Sequence, residues 1–445
     1  MKQKLYIKLL SLFLLLSTSI ISSQTFIIDG LLYTVTSGTN VSVQNASSYG
    51  LSITGDLTIP STVTNSSIIY KVTSIGNSGF YNNSGLTSVI IPDSVTSIGE
   101  NAFYQCGLTS FIFPNSLTTI GDGAFQGCGS LTFVNIPKTV TSIGNYAFSS
   151  CNSLTSIILP NSLTSIGMGT FWQCVRLTSI ILPNSLTSIG YGAFEECIVL
   201  NSIILPNSLT SIDERAFSRC SKLTSIILPN SLTNIGAEAF FGCVGITSII
   251  IPDSVTSINR DAFAVCTGLK SVILPNSVTS IGYDAFFNCI SLTSITIPNS
   301  VVSIGDYAFG NTGLTFVNVS WATPLTINSN IFPNHLNTIT LNVSSPGMVS
   351  DYQIANVWKD FKYSALSTEK YLLNNNLRIY PNPTTDFISV SGLTKAENYS
   401  IYNILGVKMS NGSVFNNERI NTRSLTKGLY FMKLQGGNTI KFIKE

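Results

Sequence analysis

The sequence predicts a solenoid of short parallel β-strands and short helical turns with a 23-residue period, followed by a small C-terminal β-sandwich. Ten prolines set the period, spaced by 22 residues once and by 23 thereafter: Pro92, Pro114, Pro137, Pro160, Pro183, Pro206, Pro229, Pro252, Pro275 and Pro298. Ten phenylalanines keep the same period: Phe103, Phe125, Phe148, Phe171, Phe194, Phe217, Phe240, Phe263, Phe286 and Phe309. A fixed period in this range is typical of solenoids, whose units bury their apolar sides against their neighbours. From about Leu377 the repeat gives way to short alternating segments, which favour a small β-sandwich.

One repeat reads LTSIILPNSLTSIG at residues 154–167. Ile157 and Leu159 alternate inward on a short strand, as the two-residue period of a strand requires. Pro160 and Asn161 then turn the chain, because proline presets φ and asparagine tolerates a tight corner. A second short apolar pair follows, so each turn of the solenoid, here called a rung, is predicted to carry two inward pairs.

The residue after the second inward pair is predicted to adopt left-handed backbone. Gly167 fills this position in one repeat, and Asp213 and Asn259 fill it in two others. Glycine, asparagine and aspartate are the residues that best tolerate positive φ. The segment around Thr170–Phe171 is predicted to form one short helical turn with the phenylalanine on its inner side.

One unit carries ten signature positions: Cys151, Leu154, Ile157, Leu159, Pro160, Leu163, Ile166, Gly167, Phe171 and Cys174. This pattern resembles the BspA-like leucine-rich repeats of bacterial surface proteins. The cysteine precedes the strand and Pro-Asn follows it, which departs from the common leucine-rich pattern and is typical of the BspA-like type. The resemblance covers about residues 50–316 and ten consecutive units. It implies a leucine-rich repeat solenoid in the form of a horseshoe or a gentle curve.

Nine cysteines each follow a repeat phenylalanine by three residues: Cys106, Cys128, Cys151, Cys174, Cys197, Cys220, Cys243, Cys266 and Cys289. Their odd number, and the parallel Cβ directions of neighbouring rungs, disfavour a disulfide framework. A metal site would need histidine or closely spaced cysteine pairs. We interpret the cysteines as a column of small, buried apolar residues.

The predicted domain order is a signal peptide (1–24), an N-terminal cap with a first irregular repeat (25–84), the repeats (85–320), a C-terminal cap (321–363), a linker (364–376) and a final domain (377–445). The first segment has a basic start and an apolar run too short to span a bilayer, and no other segment is apolar for long enough to do so. The N-terminal cap is predicted to begin with a hairpin that turns at Asp29-Gly30. The aromatic residues of YQIANVWKDF are predicted to cover the last rung.

The final domain contains two short motifs, YPNP with Pro381, Asn382 and Pro383, and KGLY with Lys427 and Gly428. With its basic last strand, it resembles the C-terminal sorting domain of the type IX secretion system of Bacteroidota. The resemblance implies recognition by the type IX secretion machinery, transport across the outer membrane, and a secreted or outer-membrane surface location. Charge also marks a separate module: residues 370–445 hold 4 acids and 10 bases, whereas residues 85–312 hold 12 acids and 7 bases.

Composition and motifs disfavour nucleic-acid binding and catalysis. The net charge is only +2, whereas phosphate binding needs clustered Lys and Arg. The single histidine, His335, lies outside the repeats, and neither a G-x-S-x-G elbow nor a phosphate loop occurs.

Glu238, Asp261 and Asp284 should stack on adjacent rungs, where a weak calcium site or a salt-bridged solvated face could form; we favour the latter. We predict a protein that is not an enzyme and uses no cofactor or metal.

The outward side of the strands, here called the strand face, is the predicted ligand-binding surface. Two residues before the repeat prolines it presents a line of isoleucines, the isoleucine ridge: Ile158, Ile181, Ile204, Ile227, Ile250 and Ile273. A line of serines runs beside the ridge. β-Branched residues favour strands in any case, but a contiguous exposed apolar strip often marks a contact surface.

Two hypotheses follow for the function. The first is a secreted or cell-surface, adhesin-like protein that binds an extracellular protein or polymer of unknown identity without catalysis. The alternative is a structural spacer or a self-associating surface-layer component. A glycan ligand is a variant of the first hypothesis, but it is disfavoured because Trp172, Tyr191 and Tyr283 lie near the phenylalanine turns and not on the strand face.

Overall fold

The computed structural model describes residues 24–46, 53–333, 336–344, 348–363, 377–403, 407–435 and 439–445. The chain divides into two compact units, Met1–Ser364 and Ala365–Glu445. Residues 1–23 of the predicted signal peptide and the predicted linker lie outside the described residues. Within the described ranges, no helix is long and apolar enough to cross a membrane.

The first unit opens with three strands: β1 (Thr25–Ile28), β2 (Leu31–Ser37) and β3 (Asn40–Asn45). β1 and β2 pair antiparallel around Asp29 at φ 50° and Gly30 at φ 79°, so the predicted hairpin is confirmed. Positive φ at both turn residues matches the twist of the two strands. β3 then pairs parallel with β6 (Ile68–Ile75), so the hairpin covers an edge of the repeat sheet that would otherwise be unpaired.

The first rung contains an additional hairpin. Strand β4 (Gly55–Thr58) pairs parallel with β7 (Leu86–Ile90), as the first strands of successive rungs do. Between them, β5 (Thr62–Asn65) folds back antiparallel on β6. The extra residues of the first repeat therefore form a local hairpin and leave the stacking of the rungs intact.

Each later rung has two short inward-packing segments. Most of the first segments form strands: β10 (Phe133–Asn135), β12 (Ser156–Ile158), β14 (Ser179–Ile181), β16 (Ser202–Ile204), β19 (Ser248–Ile250), β21 (Ser271–Ile273) and β23 (Ser294–Ile297). The second segments are two-residue strands: β8 (Ser97–Ile98), β9 (Thr119–Ile120), β11 (Ser142–Ile143), β13 (Ser165–Ile166), β15 (Ser188–Ile189), β17 (Ser211–Ile212), β18 (Asn234–Ile235), β20 (Ser257–Ile258), β22 (Ser280–Ile281) and β24 (Ser303–Ile304). Pairing is parallel and joins equivalent residues, such as Ile157, Ile180 and Ile203. The predicted solenoid with a 23-residue period is confirmed.

The repeat phenylalanines form a continuous stack through the core. Twelve rings take part, because Phe80 and Phe332 extend the predicted series by one rung at each end. Neighbouring ring centroids lie 5.2–6.0 Å apart with nearly parallel planes. The side chains from Phe80 to Phe309 are at most 2% exposed, so the stack is the central apolar element of the unit.

The segment around each phenylalanine is a series of tight turns, and the helical turn predicted at Thr170–Phe171 is wrong. Within the segment, the N–H of Trp172 donates to the carbonyl of Gly169 at 3.0 Å. The N–H of Phe171 instead donates to Ala193 of the next rung at 2.9 Å. Alternate N–H groups therefore bond along the solenoid axis, which a helix does not allow, and Gly169 and Gln173 take positive φ.

The prediction of left-handed backbone at Gly167, Asp213 and Asn259 is also wrong, because none of them has a positive φ. Glycine is favoured at this position by close approach of the rungs. A Cβ built at the equivalent Gly236 would lie 2.3 Å from the backbone nitrogen of Glu214 in the previous rung. Positive φ occurs instead two residues before and two residues after each stacked phenylalanine from Phe80 to Phe309.

The nine cysteines are free and buried, as the interpretation of a buried column requires. Each thiol also donates a hydrogen bond, with Sγ 3.0–3.3 Å from the carbonyl oxygen of the phenylalanine one rung earlier. Cys220 and Phe194, at 3.1 Å, are one such pair. The cysteine column is therefore a polar ladder as well as a column of small core residues.

The repeat ends in a C-terminal cap whose elements are β25 (Phe316–Val319), β26 (Thr340–Val343), β27 (Lys362–Tyr363), helix α1 (Val349–Ile354) and 3-10 turns at Ser329–Ile331 and Trp358–Asp360. Phe332 ends the phenylalanine stack, and its ring contacts Trp358 at 6.4 Å and Phe361 at 5.3 Å. The aromatic residues of YQIANVWKDF thus cover the last rung, as the sequence predicts.

The second unit contains two antiparallel sheets. One joins β28 (Arg378–Tyr380), β29 (Phe387–Ser391) and β32 (Arg419–Asn421); the other joins β31 (Lys408–Val414), β30 (Glu397–Asn403), β33 (Gly428–Leu434) and β34 (Thr439–Lys444). Ile388, Ile401, Met432 and Phe442 are fully buried in a shared core. This arrangement agrees with the predicted small β-sandwich.

Candidate functional site

The isoleucine ridge is exposed along the strand face. Its six predicted members are 45–85% exposed, and Ile204 is the most exposed of them. The inward neighbours Ile180 and Ile203 are only 5% exposed. Alternation along each strand therefore separates a buried isoleucine from an exposed one.

Strand register aligns the ridge. Ile158, Ile181 and Ile204 are direct partners in one parallel sheet, and Ile250 pairs with Ile273 in another. Paired strands lie about 4.8 Å apart, so the exposed side chains repeat at that spacing. The structure thus brings the predicted residues into one apolar line, while their role in binding stays a prediction.

The threonines that precede the serine line use their hydroxyl groups within the protein. Thr155 and Thr178 each donate their Oγ1 hydrogen to the carbonyl of the equivalent residue one rung earlier, at 3.1 and 3.2 Å. Lys270 replaces threonine in this line near one end of the ridge. The strand face therefore presents isoleucine methyl groups and serine hydroxyls beside internally bonded threonines, with little charge.

Two of the three stacked carboxylates form ion pairs. Glu238 accepts hydrogen bonds from Arg215 at 2.7 Å and from Arg260 at 2.9 Å, and Arg260 also contacts Asp261 at 3.3 Å. Burial disfavours the charge of Glu238, but the two arginines outweigh it and hold its pKa below the ordinary value. For Asp284, burial and then the charge of Asp261 raise the pKa. Glu238 and Asp261 are therefore part of a salt-bridged face, whereas Asp284 forms no ion pair with the described residues and its buried Oδ1 has no hydrogen-bond partner among them.

A cleft on the turn side, the side of the rungs that carries the phenylalanine turns, escaped the sequence analysis. It is lined by Tyr146, Gly169, Trp172, Tyr191, Gly192, Glu195 and Arg215. These residues are spread over 70 positions of sequence, and only the stacking of rungs brings them together. Irregularity at this position of the repeat is the signal that could have found the cleft. His335, the other candidate polar residue, lies outside the described residues.

The sorting motif attaches the last strand of the second unit. Asn382 accepts a hydrogen bond from the N–H of Ile443 at 2.8 Å and donates one to the carbonyl of Lys441 at 3.2 Å. Pro381 and Pro383 flank this asparagine. Lys427 and Gly428 are exposed at the start of β33, which pairs with the same last strand. The two motifs thus meet at the C-terminal strand.

Two family models match the chain. The BspA type leucine-rich repeat region matches residues 61–174, 141–270 and 258–349, which together cover more than half of the chain. The secretion system C-terminal sorting domain matches residues 378–445. No curated protein matches the chain.

Several solved structures are similar. A leucine-rich repeat protein from Bacteroides ovatus ATCC 8483 is 29% identical over 72% of this chain and 99% of its own, with a TM-score of 0.52. A leucine rich cell surface protein from Faecalibacterium prausnitzii A2-165 is 28% identical over 74% and 97%, with a TM-score of 0.43. The pneumococcal vaccine antigen PcpA is 17% identical over 77% and 98%, with a TM-score of 0.52, which is a likeness of fold alone.

The chain belongs to the BspA-type leucine-rich repeat family. Its C-terminal unit is a secretion sorting domain, which directs it through type IX secretion to the cell surface or the extracellular space. It is therefore a surface leucine-rich repeat protein, a class that is typically non-enzymatic.

Proposed function

We propose that this protein is an adhesin-like binding protein whose strand face contacts an extended or repetitive extracellular protein or polymer. The observation that carries the proposal is the isoleucine ridge, six side chains that are 45–85% exposed and aligned on stacked strands. Monomeric proteins rarely expose contiguous apolar strips without a use for them. The location at the cell surface or beyond fits such a role.

The uniformity of the ridge favours a repetitive partner. An interface that reads one irregular epitope should differ from rung to rung, because specificity depends on particular contacts in particular places. Here each rung offers the same chemistry. Covering a half-exposed isoleucine contributes about 1 kcal/mol, and association itself costs about 4–15 kcal/mol. Binding should therefore be moderate and should increase with the number of rungs engaged.

The test is the simultaneous substitution of Ile181, Ile204 and Ile227 by lysine, measured in adhesion to matrix-protein and glycan arrays. We expect loss of adhesion by the variant, and adhesion by the unmodified protein that resists added salt, because the ridge is uncharged. A matched control places three lysines at exposed apolar positions of the turn side: Ile198, Val244 and Ile290. The control should adhere normally.

The same experiment separates the alternative of self-association. Sedimentation of the two variants would show whether the ridge joins copies of the chain. The surface-layer hypothesis would replace the adhesin hypothesis if two results are found together. The unmodified protein would self-associate while the ridge variant stays monomeric, and the arrays would show no ligand. If adhesion and self-association both survive the ridge substitution, the strand face is not the working surface.

A further inference from the structure

The cleft on the turn side has a volume of about 220 Å³ and is lined by residues of four successive rungs. Pockets for drug-sized ligands measure about 300–1,000 Å³, so this cleft suits one small ring. The lining combines three aromatic side chains with a carboxylate and a guanidinium. This mixture differs from the uniform apolar ridge and points to a separate ligand.

Two glycines open the cleft. The position two residues before each phenylalanine holds Tyr146 on one side and Arg215 on the other, but Gly169 and Gly192 in the two rungs between them. A Cβ at Gly169 would lie 2.2 Å from the ring of Tyr146, so this ring extends across the glycine. The gap in the line of side chains therefore forms a recess walled by Tyr146 and Arg215.

Aromatic groups line much of the recess. Tyr146 and Trp172 meet edge to face with centroids 6.4 Å apart. Tyr191 is 37% exposed, and its hydroxyl accepts a hydrogen bond from Arg215 at 3.2 Å. Arg215 is fixed from behind by Glu238, which it contacts through two nitrogens at 2.7 and 3.2 Å. These contacts hold the walls in place without a ligand.

Two polar groups of the lining lack partners. The indole Nε1 of Trp172 is buried and has no acceptor in the described part of the chain. The carboxylate of Glu195 has no hydrogen bond or ion pair with any described residue, whereas its neighbour Glu196 accepts from Gln173 at 3.0 Å and from Arg219 at 2.9 Å. Burial raises the pKa of Glu195, although the charge of Arg215 opposes the shift. The Trp172 N–H is shielded from water and left unpaired, which destabilises the fold unless a ligand supplies an acceptor, whereas the half-buried Glu195 carboxylate is free to accept from a ligand.

We propose that this cleft binds one saccharide ring of an extracellular glycan. A sugar hydroxyl both donates and accepts, so hydroxyls on one ring can donate to Glu195 and accept from Trp172 and Arg215. The apolar face of the ring can lie against Tyr191. An organic cation is the other ligand of aromatic sites with a carboxylate, but the guanidinium of Arg215 would repel it.

Tryptophan fluorescence of the full chain provides the test. The chain has three tryptophans, and the other two, Trp321 and Trp358, are buried in the C-terminal cap with their Nε1 atoms bonded to backbone carbonyls. A ligand-dependent change therefore reports on Trp172. Titration uses glucose, galactose, mannose, N-acetylglucosamine and their short oligomers, with tetramethylammonium as the cationic probe. We expect a saturable change with at least one sugar, with a dissociation constant on the order of 1 mM.

Three single-residue variants test whether the cleft is the sugar-binding site. Glu195→Gln keeps the size of the side chain and should weaken sugar binding about tenfold, since hydrogen bonds to a charged group are about twice as strong as neutral ones. Tyr191→Ala should abolish it. Tyr283→Ala is the matched control, because Tyr283 is a similarly exposed turn-side tyrosine outside the cleft, and it should bind as the unmodified chain does.

Three results would overturn the proposal: no saturable change with any sugar, a response to tetramethylammonium in place of sugars, or native affinity in a folded Glu195→Gln chain. Far-UV circular dichroism verifies folding of each variant. The ridge variant with lysine at Ile181, Ile204 and Ile227 should keep its sugar response, so the cleft and the strand face are tested independently.

Discussion

Raising the pH from 8 to 10 should unfold the repeat unit, because its nine buried thiols cannot ionise in place. Burial, reinforced for most of them by neighbouring thiols, raises their pKa above the ordinary value, to about 12 for Cys106, Cys174 and Cys289. The unfolded thiol ionises near pH 8.5. Since the folded-state pKa is the higher one, stability is fully present below about pH 8.5 and is lost as the pH rises from there towards the folded-state pKa.

The expected loss is large because the contributions add. One pH unit above the unfolded pKa, each thiol that stays neutral in the fold reduces the free energy of unfolding by about 1.4 kcal/mol. Nine thiols give about 13 kcal/mol, comparable with the whole stability of a typical domain, about 5–15 kcal/mol. The buried Tyr33 and Tyr352 and the half-buried Tyr363, with pKa raised to about 12, add a similar loss per group only above about pH 10. Between pH 8.5 and 10, the loss of stability from cysteine ionisation can therefore be measured separately from that of the tyrosines.

The assay is urea unfolding followed by far-UV circular dichroism at a series of pH values, comparing the unmodified chain with a chain that carries alanine at Cys197, Cys220 and Cys243. The variant should be less stable at pH 7 by about 1 kcal/mol per lost thiol hydrogen bond. Between pH 8 and 9.5 it should lose about 4 kcal/mol less than the unmodified chain. An identical pH dependence for the two chains, or rapid reaction of the folded thiols with a disulfide reagent at pH 8, would refute the reasoning.

Two further predictions concern the core and export. Phe217 is fully buried between rings at 5.3 and 5.5 Å, so Phe217→Ala should cost about 3–5 kcal/mol in urea unfolding, whereas Phe287→Ala, at a 36% exposed site, should cost much less. Equal stability of the Phe217→Ala chain would mean that this ring is not part of the core. A chain that ends at Asn376 lacks the sorting domain and should remain in the periplasm of a type IX-competent host, as judged by fractionation against the full-length chain. Its normal appearance at the surface would contradict the assignment of export to residues 377–445.

The sequence predicts well which side chains of each rung face inward and which face outward. The positions of Phe171 and Cys174, and the outward side of Ile181, follow from the period alone, because parallel pairing places each residue on its equivalent in the next rung. The Asp29-Gly30 hairpin follows from local turn chemistry. In the candidate site, the ridge could therefore be located from the sequence, but the hydrogen bonds between the threonines of successive rungs could not.

Contacts between residues at different positions of the repeat could be found only from the tertiary structure. Glycine is favoured at the position of Gly236 because a Cβ there would lie 2.3 Å from the backbone nitrogen of Glu214 in the previous rung. The residue type alone suggests a positive φ, which Gly236 does not have. The thiol of Cys220 bonds to a carbonyl 26 positions earlier, and Arg215 reaches both Glu238 and Tyr191.

The sequence by itself determined the repeat, the direction of each side chain and the sorting domain, because these depend on periodicity and local motifs. Only the tertiary structure decided the backbone conformation around each phenylalanine and the space that irregular rungs leave between their side chains. The cleft between Tyr146 and Arg215 exists because two successive rungs place glycine in the same line. Its shape depends on the distance and twist between rungs, which no single repeat encodes.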